Sequence, residues 1–497
     1  MNKSTPPSLP LREMRASLLL QAEPSWMPSQ VMVDMIEPIQ PSYNIKKIEA
    51  LQTKQRDIAS KLSATWLGQV YRSHLKRYVI IRWIVQGTWR NIYAIHVKFY
   101  VKFIAIHLVN RKSSRWLQLF RLSEFAKKEG IPTSKLADAS LIEAPLPKVF
   151  PTCDHAYLAS THERIEFPEI YVATISNAMV YGGTNLVLAG GEVVCHDLYD
   201  FERDYTSEEF HNYTQIDPGN KRIRWLLHDE APELIPVAAA FVDACGLNYA
   251  HWMTEVLPRI ALFCAEERYK DIPVVVNNGL HQNIMESLFL IAGATREIIT
   301  LPIGRAIAVN ELYLTSVAGY VPFDRRTNKL SGHSQGVFSS SAFEILRNHL
   351  NPLGQKAAGE AWPEKIFLRR NSGIRKISNA AEIEKLLVIR GYVVVEPEKL
   401  TFLQQVQLFY SAKQIVSPTG AALVNAIVCK PGTQVAVLMS KHENMIYRYW
   451  INLLNPFEIK VNYVLGNIIN QDFLGIHGDF AVNVADVVEL LDTFEKK

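Results

Sequence analysis

The stretch Ile366 to Leu438 constrains the fold more than any other part of this chain. It reads as strand, helix, strand, helix, strand, helix, strand. Ile366–Leu368 is apolar and ends in Arg369 and Arg370. Asn379–Arg390 places Ile383, Leu386 and Leu387 at helical spacing, and Gly391 stops it. Tyr392–Val395 is a β-branched strand, and Phe402–Ser411 puts Leu403, Val406 and Phe409 on one helical face. Gln414–Val416 runs straight into Pro418-Thr419-Gly420-Ala421-Ala422. Leu423–Val428 reads as helix and Val435–Leu438 as strand. Strands alternating with helices predict a parallel sheet. Ligands of such sheets sit beyond the carboxyl ends of the strands. The arginines and the small-residue turn fall at those ends.

A second alternating region precedes it. Ala238–Val242 reads as strand, Tyr249–Glu266 as helix, Ile272–Val276 as strand, His281–Ala292 as helix and Glu311–Thr315 as strand. Phe338–Leu350 is a long helix before the connector Asn351–Pro363. Upstream, Glu166 to His196 is β-rich with glycine pairs at its turns. Gly130 to Phe150 carries Pro132, Pro145 and Pro147, with Pro151 after it, the marks of a linker. The expected organisation is a poorly ordered tail over 1–44, a helical basic and aromatic extension over 45–130, and a β-rich segment plus a first Rossmann-like domain over 131–350. A second Rossmann-like domain is expected over 351–497. The fold class is thus α/β.

Charge is distributed unevenly. From Ile58 to Ser123 there is no Asp or Glu, yet twelve Lys and Arg residues fall there, against a net charge of +4 for the whole chain. Trp83, Trp89, Tyr93, Phe99, Tyr100, Phe103 and Trp116 lie among them. No apolar run reaches the ~18 residues of a spanning helix. Residues 71–116 therefore suit peripheral contact with an anionic membrane surface, or a helical hairpin packed on protein. A nucleic-acid partner is not expected, because the basic residues do not cover a whole domain. The five cysteines are scattered and form no CxxC pair, which argues against a zinc site or a disulfide framework. The first thirty residues show no signal-peptide pattern, so the expected compartment is the cytoplasm or the inner face of the cell membrane.

Two groups of residues carry chemistry. His251 and Glu255 lie four apart on a predicted helix and share one face. Either can accept a proton, or one can orient the other. The alternative is a buried, hydrogen-bonded structural histidine. Asn248, Tyr249 and Trp252 flank them, and Arg259 follows two turns on. In the second group Arg369, Arg370 and Arg375 suit a phosphate, which guanidinium binds bidentately. Adjacent residues leaving a strand point to opposite sides, so one of Arg369 and Arg370 faces the ligand, and Arg370 is favoured. The alternative is a solvated surface cluster. Thr419, Gly420 and Ala421 let backbone amides approach phosphate at a helix start, with Asn425 one turn on. Close helix–strand packing explains such a turn equally well. No Asp-Xaa-Asp stands ready to hold a divalent ion, so no metal is expected.

These residues also resemble a known family. Arg369-Arg370, Arg375, Asn379, Gly391-Tyr392, Pro397-Glu398, Phe402, Gln405, Gly420-Ala421-Ala422-Leu423, Asn425 and Pro431-Gly432 look like glycosyltransferase family 61. The block Asn248 to Arg259, NYAHWMTEVLPR, resembles the other hallmark of that family. The likeness runs from about Phe167 to Leu438, and it is of the bacterial type. The chain departs from the family in having Thr419 where a histidine is common and Ala380 where an acid follows the asparagine.

The resemblance implies a GT-B-like plan, with two Rossmann-type domains facing a cleft. It implies an inverting, metal-independent transfer of a hexosyl or pentosyl unit from a nucleotide sugar, with UDP as the nucleotide. The acceptor is a glycan or a lipid-linked saccharide, as in polysaccharide assembly, and no cofactor is needed. His251 and Glu255 would be catalytic. Arg369, Arg370, Arg375, Thr419, Gly420, Ala421 and Asn425 would bind the donor, and Asn248, Tyr249, Trp252 and Arg259 would stand on the acceptor side. The pair would open into the cleft opposite Arg370 and Thr419. Two other classes stay open: another nucleotide-sugar enzyme such as an epimerase, and a non-catalytic carbohydrate-binding scaffold.

Overall fold

The computed structural model describes residues 116–495, apart from 158–162, 212, 228, 230, 327–335, 356–361, 372–374, 443–446 and 470–477. The expected tail, and the basic segment up to residue 115, lie outside the described residues. From Trp116 onward the chain is described, and it forms the strand Trp116–Arg121 and then the helix Leu122–Glu129.

The architecture is α/β, with two large sheets. The first has eleven strands. Four of them are mutually parallel: Ile298–Leu301, Val274–Asn277, Glu233–Ala240 and Ala306–Thr315, in that spatial order. In chain order this is 3-2-1-4, so the connection reverses between Glu233–Ala240 and Ala306–Thr315. Further strands extend the sheet beyond this set, beginning with the antiparallel, twelve-residue Ile170–Tyr181. The second sheet runs Val393–Val395, Lys365–Leu368, Gln414–Pro418, Gln434–Ser440, Lys460–Ile468, all parallel. Its chain order is 2-1-3-4-5, which reverses between Lys365–Leu368 and Gln414–Pro418. In such sheets ligands sit at the carboxyl ends of the two strands that flank the reversal.

The predicted elements of the second sheet sit where the spacing puts them. Phe402–Ser411 is a helix with the same bounds. Thr401 caps it by accepting from the Gln404 N–H, and Gln404 returns the bond in a capping box. Ala380–Ile389 follows Asn379, whose side chain bonds both ways with the Val482 backbone. The stretch after Gly420 is a 3₁₀ helix, Ala421–Val428.

The proline-marked stretch expected as a linker is instead built of strands: Thr133–Ala137, Ser140–Ala144 and Lys148–Phe150. Its prolines lie between the strands rather than in them, where the missing N–H costs no ladder bond. Lys148–Phe150 even joins the second sheet, parallel to Lys460–Ile468.

One apolar core runs through the helices of both sheets. It contains Phe241, Trp252, Val256 and Ile260 from the first, and Ile366, Phe402, Phe409 and Val435 from the second. Inside it a polar chain crosses from one to the other. The Tyr249 hydroxyl donates to Asn425 Oδ1 at 2.7 Å, and Asn425 Nδ2 donates to Gln405 Oε1 at 2.6 Å. Asn425 is 1% exposed, so its amide cannot turn to water instead. Asn425→Ala should therefore destabilise the protein by about 2–3 kcal/mol and Tyr249→Phe by about 1 kcal/mol. The double variant should lose less than the sum of the two, because both act on one bond. Urea unfolding of the four proteins checks this, and strict additivity would contradict it.

Candidate active site

The first half of the site is built where Glu233–Ala240 leaves its sheet. The chain continues through Phe241 and Val242 to Asp243, which is pinned on several sides. Its carboxylate accepts from the Cys245 N–H at 2.8 Å and from Asn185 Nδ2 at 3.3 Å, and it faces Arg259 Nη2 at 3.6 Å. Its backbone exchanges two bonds with the Asn277 side chain. Asn248 then caps the next helix by accepting from the Ala250 N–H.

That helix is not the continuous one predicted over Tyr249–Glu266. Tyr249–His251 is α-helical, Trp252–Val256 is π-helical, and Leu257–Ala265 is α-helical again. Pro258 accounts for the change. It has no N–H for the Thr254 carbonyl, and its ring would crowd that carbonyl in a regular helix. The wide turn closes instead through the Leu257 N–H to the Trp252 carbonyl. Widened turns of this kind are frequent at functional sites. Gly319 comes up against the released carbonyl: a Cβ at 319 would lie 2.2 Å from Thr254 O.

His251 and Glu255 end on one face. His251 Nδ1 and Glu255 Oε2 share a short hydrogen bond, and Glu255 Oε1 accepts from the Val321 N–H at 2.7 Å. Glu255 is 8% exposed. Burial raises its carboxyl pKa against the attraction of His251. Burial disfavours charge on His251 too, but Glu255 outweighs it and the imidazole pKa is raised. The two titrate as a pair. Both line a cavity at the first sheet's reversal, together with Asp243, Arg259, Tyr320 and His196. Arg259 Nε also donates to the Glu255 carbonyl at 2.7 Å, and burial lowers its pKa. Trp252 is placed differently. It is fully buried in the core and donates from Nε1 to Ser287 Oγ.

The second half stands at the other sheet's reversal. Arg369 and Arg370 leave the strand Lys365–Leu368 in opposite directions. Arg369 pairs with Glu384 and with Glu396, the latter at 2.7 Å, and its side chain is 40% exposed. Arg370 turns inward, where Nη1 donates to the Thr419 carbonyl at 3.3 Å. Its guanidinium lies on Gly420, where a Cβ would come within 2.3 Å of Nη1. Arg375 is held with φ +56°, a left-handed backbone that few side chains adopt. Its Nε is buried without a hydrogen-bond partner among the described residues, and burial plus the nearby Arg370 lowers its pKa to about 10. Two neighbouring guanidinium groups, one of them lowered by the other and with a buried donor unmet, are chemically suited to an anion. Thr419 accepts from Trp450 Nε1 at 3.3 Å. Ala421 opens the 3₁₀ helix, and Asn425 lies inside the core, bonded to Tyr249 and Gln405. Asn425 thus ties the His251 helix to the turn after Thr419.

Residues 249–436 match the family model described as Glycosyltransferase 61. Over that stretch the chain is similar to glycosyltransferase family 61. No curated protein matches the chain. The family indicates a glycosyltransferase, whose substrates are a sugar donor and an acceptor. The matched stretch takes in His251, Glu255, Arg370, Arg375 and the Thr419 loop. Asp243 and His196 lie before it, and the sequence reading passed over both. Asp243 had a signal, since it follows the predicted strand Ala238–Val242 at a carboxyl end. His196 had none, because what sets it apart is its surroundings.

Proposed function

We propose that the chain is an inverting, metal-independent glycosyltransferase of GT-B type that uses a UDP-sugar. The donor nucleotide occupies the crevice of the second sheet and the acceptor hydroxyl enters the cavity of the first. One observation carries the reading: each sheet has its own reversal point, with half-buried guanidinium groups at one and a histidine–carboxylate pair at the other. The 2.7 Å bond from Tyr249 to Asn425 joins the two.

His251 is the base. Its Nδ1 is committed to Glu255, so Nε2 is left to take the proton of the attacking hydroxyl. Glu255 holds the ring in that orientation and stabilises the imidazolium that forms, the role of the third member in a nucleophile–base–carboxylate set. The sugar carbon is attacked on the face away from its diphosphate, which inverts it. Arg370 and Arg375 take up the charge on the departing diphosphate, the part a divalent ion plays in other transferases. The turn at Gly420 adds backbone amides. The transferred unit is a hexosyl or pentosyl group, and the acceptor is a glycan or a lipid-linked saccharide.

Arg370→Ala and Arg375→Ala should each weaken UDP binding by about 1.5–3 kcal/mol in a folded protein. His251→Ala and Glu255→Gln should leave UDP affinity alone and lower turnover about 10²–10⁴-fold. Calorimetry with UDP and a nucleotide-release assay read the two effects. Unchanged UDP affinity in both arginine variants removes the donor assignment.

The basic, aromatic stretch 71–116 completes the proposal. We assign it to peripheral attachment at the anionic inner face of the cell membrane, where each nearby Lys or Arg contributes about 1 kcal/mol. The full chain should sediment with vesicles containing phosphatidylserine and be released by high salt. Equal partitioning onto neutral vesicles, or none onto either, contradicts it.

A further inference from the structure

His196 is the histidine of the His251 cavity whose nitrogens are not engaged. It follows directly on the strand Glu192–Cys195 and forms part of the cavity wall. Its ring is held by its faces. Tyr320 lies against it at 4.5 Å between centroids, and Tyr199 meets it edge-on at 6.0 Å. Those rings are fixed in turn by Asp204, which accepts from the Tyr320 hydroxyl at 2.8 Å and, at its carbonyl, from the Tyr199 hydroxyl at 3.3 Å. Asp204 is fully buried and paired with Arg203. The mounting is therefore rigid. The nitrogens are another matter. Nδ1 is buried with no hydrogen-bond partner, and Nε2 has none among the described residues. The other histidines nearby do not share this: His251 Nδ1 bonds Glu255, and His211 Nδ1 bonds the Ser207 carbonyl.

An imidazole so held, with its polar atoms unmet, carries a cost of burial that a ligand can relieve. Burial lowers the His196 pKa to about 4, so the ring is neutral at physiological pH. A neutral imidazole offers one donor and one acceptor, the complement of a hydroxyl group. The rest of the wall fits the same kind of ligand. Tyr205, Tyr320 and Phe323 present ring surface, while Asp243, Glu208 and Asn185 present hydrogen-bonding groups. Asp243 faces Arg259, Glu255 pairs with His251, and burial raises Glu208 to about 7, so both cationic groups of the wall are already matched by a carboxyl group. That balance disfavours an anionic sugar.

We propose that His196 is a substrate-binding residue that holds a hydroxyl of an uncharged saccharide, the acceptor, beside His251. The proposal rests on the reading of this cavity as the acceptor side. It adds a residue that lies before the family match, on a different element from the His251 helix.

The test uses the full chain and a panel of methyl pyranosides, uncharged ones together with methyl glucuronide, followed by saturation-transfer NMR. At least one uncharged glycoside should bind, and methyl glucuronide should not. His196→Ala and His196→Phe should each weaken that binding about five- to tenfold, the loss of one or two neutral hydrogen bonds. His196→Phe keeps a ring against Tyr320, so a loss shared by both variants belongs to the nitrogens and not to packing. Thermal melts establish that each variant is folded. Undiminished glycoside binding in folded His196→Phe overturns the proposal, and so does the absence of binding by any uncharged glycoside to the unmodified chain. UDP titrations run in parallel separate this from the transferase reading. Glycoside binding that needs His196 in a chain that ignores UDP leaves the saccharide site standing and removes UDP as the donor nucleotide. UDP binding that weakens in His196→Phe makes the cavity a donor site and overturns the inference.

Discussion

Inside a core shared by two sheets, the hydroxyl of Tyr249 meets the amide of Asn425. A buried bond of this kind cannot be exchanged for water, so it sets a distance between the elements that carry its ends. One end belongs to the helix that presents His251 and Glu255. The other belongs to the 3₁₀ helix that starts at Gly420, on which Arg370 rests. Gln405 extends the chain by donating to the Pro397 and Leu400 carbonyls. The proposed reaction needs a proton acceptor and a diphosphate cradle at a fixed separation, and this polar thread within an apolar core is what fixes it.

The two ends differ in electrostatics as well as position. At the second sheet, burial works on cations. Arg370 and Arg375 are both lowered by desolvation, and Arg375 also by Arg370. Such a site is stabilised by an anion. At the first sheet burial works on a mixed group, in which His251 is raised and His196 is lowered. The cavity thus holds two histidines of opposite tendency. In the proposed reaction His251 takes the proton and a neutral His196 holds a hydroxyl.

Much of the second sheet was legible in the sequence, because each of its elements carries a local signal. Phe402–Ser411 has a capping box and a clean apolar face, and residues 366–368 and 435–439 are unbroken, buried apolar runs within parallel strands. Less visible was whatever depends on distant partners. The π turn at Trp252–Val256 comes from Pro258 and from the approach of Gly319, more than sixty residues away. Lys148–Phe150 reads as a piece of linker until Lys460–Ile468 lies beside it. Asn425 and Trp252 stood out as motif residues, and the structure commits both to bonds within the core. His196 and Asp243 were passed over for the opposite reason. Their chemistry depends on Tyr320, Arg259 and Asn277, which the fold brings to them from far along the chain.

The central claim is that the two reversal points make one reaction site, with the nucleotide at the second sheet and the acceptor at the first. A crystal structure of the chain with bound UDP tests this most directly. The diphosphate should lie against Arg370, Arg375 and the Gly420 turn, with the His251 cavity left clear for an acceptor. A diphosphate lodged among His251, Glu255 and Arg259, away from the Arg370 side, would contradict it.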